Sequence, residues 1–162
     1  VEAGGTLVAL DSAAVFAIRH LYLPVRNVVE GLKEEEFYCP GSLLRVIITP
    51  SHPTMWGLSR SEVVLFMKSP VFEATQGDKV TAVASYPQYE PNVSGWILGA
   101  DKIAGKAAMV EVQVGETGGR AILIGFRPQF RAQARGTYKT LFNAVMRGGQ
   151  SKATELRATG NR

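Results

Sequence analysis

The chain has 162 residues, of which 46% are apolar and 20% charged, and its formal net charge is +4. That composition describes one globular domain able to bury a sizeable core, and it excludes a disordered chain. A single cysteine, Cys39, and two histidines, His20 and His52, exclude an internal disulfide framework and a multi-cysteine zinc site. Val1 in place of methionine reads as a processed product or an excised fragment, and no signal peptide is read ahead of the first strand. No stretch approaches the ~20 apolar residues of a membrane span.

Charge is unevenly distributed. Residues 127–162 carry eight Lys/Arg and one acid, Glu155, whereas residues 1–126 carry ten Lys/Arg and thirteen acids. A basic end attracts nucleic acid, an anionic surface or an acidic partner. Nucleic-acid binding usually adds stacking aromatics or a basic recognition helix. The segment 148–162 has neither and reads as a polar tail, so no nucleic-acid partner is expected.

In chain order, Thr6–Leu10 is a short apolar run with the look of a buried parallel strand, wanting neighbours on both sides. Asp11 and Ser12 are expected to cap the helix that follows, whose apolar positions are Val15, Phe16, Ile18 and Leu21. It ends before Pro24, and His20 is expected to pack on it half-buried. This strand–cap–helix opening belongs to an α/β sheet. Residues 33–41 form a charged loop, 43–48 a strand, and 49–59 a long connection rich in proline. Strands follow at 62–67 and 79–86, the latter half-exposed by its alternation. The GETGG segment joins 107–114 to 120–126 in the clearest hairpin of the chain. Tyr138, Leu141, Phe142, Val145 and Met146 then form one apolar helix face over 137–147. Thr137 is its expected N-cap, and Gly148 and Gly149 stop it.

The candidate chemistry is sparse. Cys39 is the one conventional nucleophile with a suggestive setting, in the run FYCPG. A nucleophile elbow needs the backbone N–H of the residue after the nucleophile for its oxyanion hole, and Pro40 has none. Phe37 also stands where an elbow wants glycine, so Cys39 reads as structural. An amidohydrolase using Cys39 remains the enzymatic alternative. His52 sits on a loop with no partner evident in sequence to orient it as a base. Neither histidine has metal-ligand spacing, so no metal or other cofactor is expected in this chain. The cluster Arg127-Pro128-Gln129-Phe130-Arg131-Ala132-Gln133-Ala134-Arg135 is the remaining candidate. Arg127, Gln129, Arg131 and Arg135 could grip an anion or dock an acidic surface.

The runs GGTLVALDSA, FYCPGSLLRV with SHPTMWGL, and above all GFRPQFRAQARGTYKTLFNA resemble one family. They are similar to the C-terminal, glutamine-amidotransferase-like domain of bacterial zinc carboxypeptidases of the carboxypeptidase A type. The resemblance covers roughly residues 4 to 147. It implies a secreted or periplasmic parent metallopeptidase that trims peptide C-termini, with zinc held in a separate catalytic domain. It also implies a family domain that begins upstream of Val1 with another strand and helix. The amidotransferase triad asks for a cysteine in an elbow and a late histidine followed by an acid. Here the late segment reads Gly125-Phe126-Arg127-Pro128-Gln129, with neither.

The reading is therefore a three-layer α/β domain over 1–147, a partial flavodoxin-like sheet with a β-hairpin extension and a C-terminal helix. A polar tail occupies 148–162. The expected role is that of a non-catalytic accessory domain. Its expected partner is the catalytic domain of the same polypeptide, with a homo-oligomer through an exposed sheet edge as the other association.

Overall fold

The hairpin around GETGG is the spine of the sheet. Strands β8 (Ala107–Val114) and β9 (Gly119–Ile124) pair antiparallel, with Val110 opposite Leu123 and Val112 opposite Ala121. The computed structural model describes residues 1–132 and 135–148. Within them the other strands are β1 (Thr6–Leu10), β2 (Val25–Asn27), β3 (Ser42–Ile48), β4 (Ser61–Phe66), β5 (Phe72–Ala74), β6 (Val80–Ser85) and β7 (Asn92–Ser94). The helices are α1 (Ser12–His20) and α2 (Tyr138–Gly148), with short 3-10 turns elsewhere. The polar tail expected over 148–162 lies, beyond Gly148, outside the described residues, as do Gln133 and Ala134.

All these strands join one open sheet of order β1-β9-β8-β6-β3-β4, with β5 attached to β8, β2 to β5, and β7 to β3. The β1–β9 pair is parallel and the other described pairings are antiparallel. Alternation puts one set of side chains on each face. Leu44, Val46, Ile48, Val64, Phe66, Ile122 and Ile124 join Ala144 of α2 in one core layer. Val110, Val112, Ala121 and Leu123 join Ala14 and Ala17 of α1 in the other. Helix, sheet and helix are thus three layers, an open mixed α/β arrangement as the sequence implied.

Among the described residues strand β1 pairs with β9 alone, which leaves its other side open. Two expectations change. His20 is exposed and lies against the Phe16 ring, centroids 4.0 Å apart, because α1 buries its small residues Ala14 and Ala17 instead. Helix α2 is turned away from its apolar stripe. Thr140 and Ala144 are the residues it buries, while Phe142, Val145 and Met146 are 61%, 61% and 73% exposed. The cause is a row of polar ties on one side of the helix. Asn143 donates to the carbonyls of Thr54 (3.2 Å) and Trp56 (2.9 Å), Lys139 Nζ donates to that of Gly57 (2.7 Å), and Arg147 grips Glu111. Small Thr140 and Ala144 then let the helix lie close to the sheet. Thr137, just before α2, donates its hydroxyl to the Pro128 carbonyl at 2.7 Å.

Candidate functional site at a strand-to-helix turn

Strand β1 passes into α1 through a single residue, Asp11. Its backbone sits at φ 50°, ψ −128°. That region is costly for a residue with a Cβ and marks a position the surroundings impose. The constraint is visible: the Asp11 N–H donates to Ile124 O of the neighbouring strand at 2.8 Å, while its carbonyl accepts from Ala14 N at 3.0 Å to start the helix. A sharp, strained strand-to-helix turn of this kind is an elbow, which lifts one side chain above the end of the sheet. The lifted side chain is a carboxylate. It does not cap α1, as the sequence led us to expect. Instead it accepts from Arg127 Nε at 2.5 Å.

Arg127 arrives from the end of β9. Gly125 makes the approach possible, since a Cβ there would lie 2.4 Å from the Pro70 carbonyl. The Arg127 N–H then donates to Leu65 O at 3.1 Å, and its Nη1 reaches the Met67 sulfur at 3.7 Å. The Phe130 ring lies near two guanidiniums, 5.5 Å from that of Arg127 and 5.3 Å from that of Arg131. Leu10, Asp11, Arg127, Gln129, Phe130 and Arg131 enclose a hollow of about 340 Å³. Of the four residues singled out in the sequence, Arg127, Gln129 and Arg131 therefore share one hollow. Arg135 is exposed and does not line it. Asp11 was missed, because a polar residue between a strand and a helix reads first as a cap. The sequence carried no signal for the pairing, since Arg127 lies 116 positions further on.

The pair has little catalytic capacity. A guanidinium stays protonated and cannot serve as a general base. Neither histidine attends the turn: His20 lies against Phe16, and His52 is held elsewhere. Cys39 is not at the elbow either. It is 2% exposed, on the loop where its carbonyl accepts from Lys68 N. Burial pushes its thiol pKa up, against a smaller lowering by Ser42, which disfavours the thiolate a nucleophile requires.

His52 does have a partner that the sequence concealed. Its Nδ1 lies 2.7 Å from Thr54 Oγ1 and its Nε2 lies 3.5 Å from Glu111 Oε2. Glu111 is held in turn by Arg147, Nε at 2.9 Å and Nη2 at 3.1 Å. Burial lowers the His52 pKa, with Glu111 opposing in part. Burial pushes the Glu111 carboxyl up, but the Arg147 bonds and the neighbouring cations outweigh this and hold it below the usual range. The hydroxyl in this relay, on Thr54, is fully buried and closed to a substrate. The cluster joins α2 and the 49–59 connection to the sheet. Among the described residues no three His, Cys, Asp or Glu side chains converge as metal ligands, and no helix is long and apolar enough to cross a membrane.

No protein-family model and no curated protein matches the chain. Solved structures do. A β-galactosidase from Bacillus circulans sp. alkalophilus superposes over 93% of this chain and 20% of its own, with a TM-score of 0.54 and 15% identity. A putative GMP synthase subunit from Thermoplasma acidophilum superposes over 93% of this chain and 60% of its own, at TM-score 0.51 and 15% identity. The chain thus spans a fifth and about three fifths of these two proteins. At such identity the likeness is one of fold, and the fold is the glutamine-amidotransferase-like one.

Proposed function

We propose that the chain is a non-catalytic accessory domain of a bacterial zinc carboxypeptidase, a secreted or periplasmic peptidase that trims peptide C-termini. The family-like stretches of sequence support the parent, and the amidotransferase-like fold agrees with the appended domain they resemble. Zinc and its ligands belong to the separate catalytic domain of that parent. The observation that carries the non-catalytic reading is the ion pair at the elbow: Asp11 and Arg127 stand where acyl transfer needs a thiol and a base. Incubating this domain alone with zinc and peptides should release no C-terminal residues, and incubating it with glutamine should release no ammonia. Measurable turnover in either assay rejects the reading.

One observation favours a second role for the same hollow. Arg131 lines it and makes no ion pair among the described residues, so an anion could bind there beside Gln129. Salt-sensitive binding of an anionic ligand, lost in Arg131→Gln, is the result that role requires.

A further inference from the structure

A second arginine is left unspent at the opposite end of β9, and its setting is unrelated to the elbow. Arg120 faces Gln113 across the hairpin. Its Nη1 is buried and has no hydrogen-bond partner, and Arg120 makes no ion pair among the described residues. The nearby carboxylate that would ordinarily neutralise it, Glu111, is occupied on both oxygens by Arg147. A guanidinium cannot shed its proton to escape this position, and a buried N–H without an acceptor is costly. Glu111 offsets the Arg120 charge in part, but both its oxygens are bound to Arg147 and it gives the buried N–H no acceptor. An oxyanion would add that acceptor and the rest of the countercharge.

Space for one is present. Arg120, Arg147 and Gln113 line a cavity of about 510 Å³ at the hairpin end, with Gly115, Gly118 and Gly119 leaving its wall free of side chains. Two carboxylates also line it: Glu111, bound by Arg147, and Glu116 at the exposed turn.

We propose that this cavity binds a single oxyanion, a carboxylate or a phosphate, with Arg120 as the principal cation and Arg147 and the Gln113 amide beside it. This proposal does not depend on the accessory role above. The test is a titration of the ¹⁵N-labelled chain with sodium acetate and, separately, with sodium phosphate, holding ionic strength constant with sodium chloride. Saturable shifts are expected at the amides of Gln113, Gly118 and Arg120 with at least one anion, and the responding anion names the class. Arg120→Gln should weaken binding about tenfold or more, as expected for loss of a charge-assisted contact. Glu116→Gln should tighten it about twofold by removing a like charge from the rim. Arg131→Gln, in the other hollow, should leave it unchanged. Absence of a saturable shift with either anion overturns the proposal, as does an Arg120→Gln chain that binds equally well. If that variant fails to fold, an unchanged affinity in Glu116→Gln overturns it instead.

Discussion

Asp11 occupies backbone space that glycine would enter freely, and it is held there by two backbone hydrogen bonds and one guanidinium. Arg127 is about one third exposed, so solvent screens the pair and its worth is less than that of a buried bridge. Arg127→Ala should cost ~1–2 kcal/mol, mostly by leaving the Asp11 carboxylate without its donor. Asp11→Ala and the double variant complete a cycle whose coupling should be ~1 kcal/mol. Urea unfolding measures it, and a coupling near zero would show that the turn is held by backbone alone. His52 gives a pH signature. Its folded pKa lies below the unfolded 6.5, so the unfolded chain binds more protons there. Its contribution is present above pH 6.5 and is lost as pH falls. Glu111, also lowered in the folded state, adds a second loss below 4.5. Unfolding free energy should therefore decline from pH 7 downward, and His52→Asn, which keeps a capping side chain on the 3-10 turn, should remove the upper limb. Stability that rises on acidification through pH 6 would contradict the burial argument. Neither feature was legible in sequence: Asp11 lies 116 positions from Arg127, and His52 reaches Glu111 with strands β4 to β7 between them in the chain.

At the level of elements, pattern and local chemistry carried the reading wherever one face of a segment had a single plausible partner. Strand β1, the alternation in β3 and the β8–β9 hairpin lie where their periodicity puts them. Helix α2 shows why periodicity alone is insufficient. It has the apolar stripe of a core-facing helix, yet distant polar partners on the 49–59 connection fix its rotation, and the stripe points outward. The bounds of the helix were legible, but the face it buries was not. Substitution separates the two arrangements. Val145→Ser and Met146→Gln should change stability by no more than ~0.5 kcal/mol, as surface positions do. Ala144→Leu should cost ~1–3 kcal/mol by forcing the helix off the sheet. Thermal unfolding of the three variants decides it, and a large loss at Val145 with tolerance at Ala144 would restore the orientation read from the sequence.

At the scale of the whole sheet, the described residues by themselves leave the β1 edge uncovered. Gly5 and Asp11 spend their ladder groups on β9, so the alternate residues Thr6, Val8 and Leu10 turn theirs outward. The strand has no charge, proline or bulge to discourage pairing, and parallel strands are ordinarily covered on both sides. Beside it, Leu7, Leu10, Ala13, Phe16, Ala17 and Leu21 line an apolar groove of about 530 Å³. On the other face of the sheet, α2 contributes Val145 to the exposed surface. Edge and apolar helix residues together form a surface that gains from a further strand, whether from chain upstream of Val1, from a catalytic domain or from a second copy. In the isolated chain only the second copy is available. The weight-average mass by sedimentation should therefore rise as concentration goes from ~10 to ~500 µM, the range in which such edges associate. Phe16 is 63% exposed, so Phe16→Glu should leave folding nearly intact while setting like charges against each other across the paired edge. That variant should stay monomeric over the same range. Association that survives it unchanged would place the self-contact on another face and leave β1 without a demonstrated role in assembly.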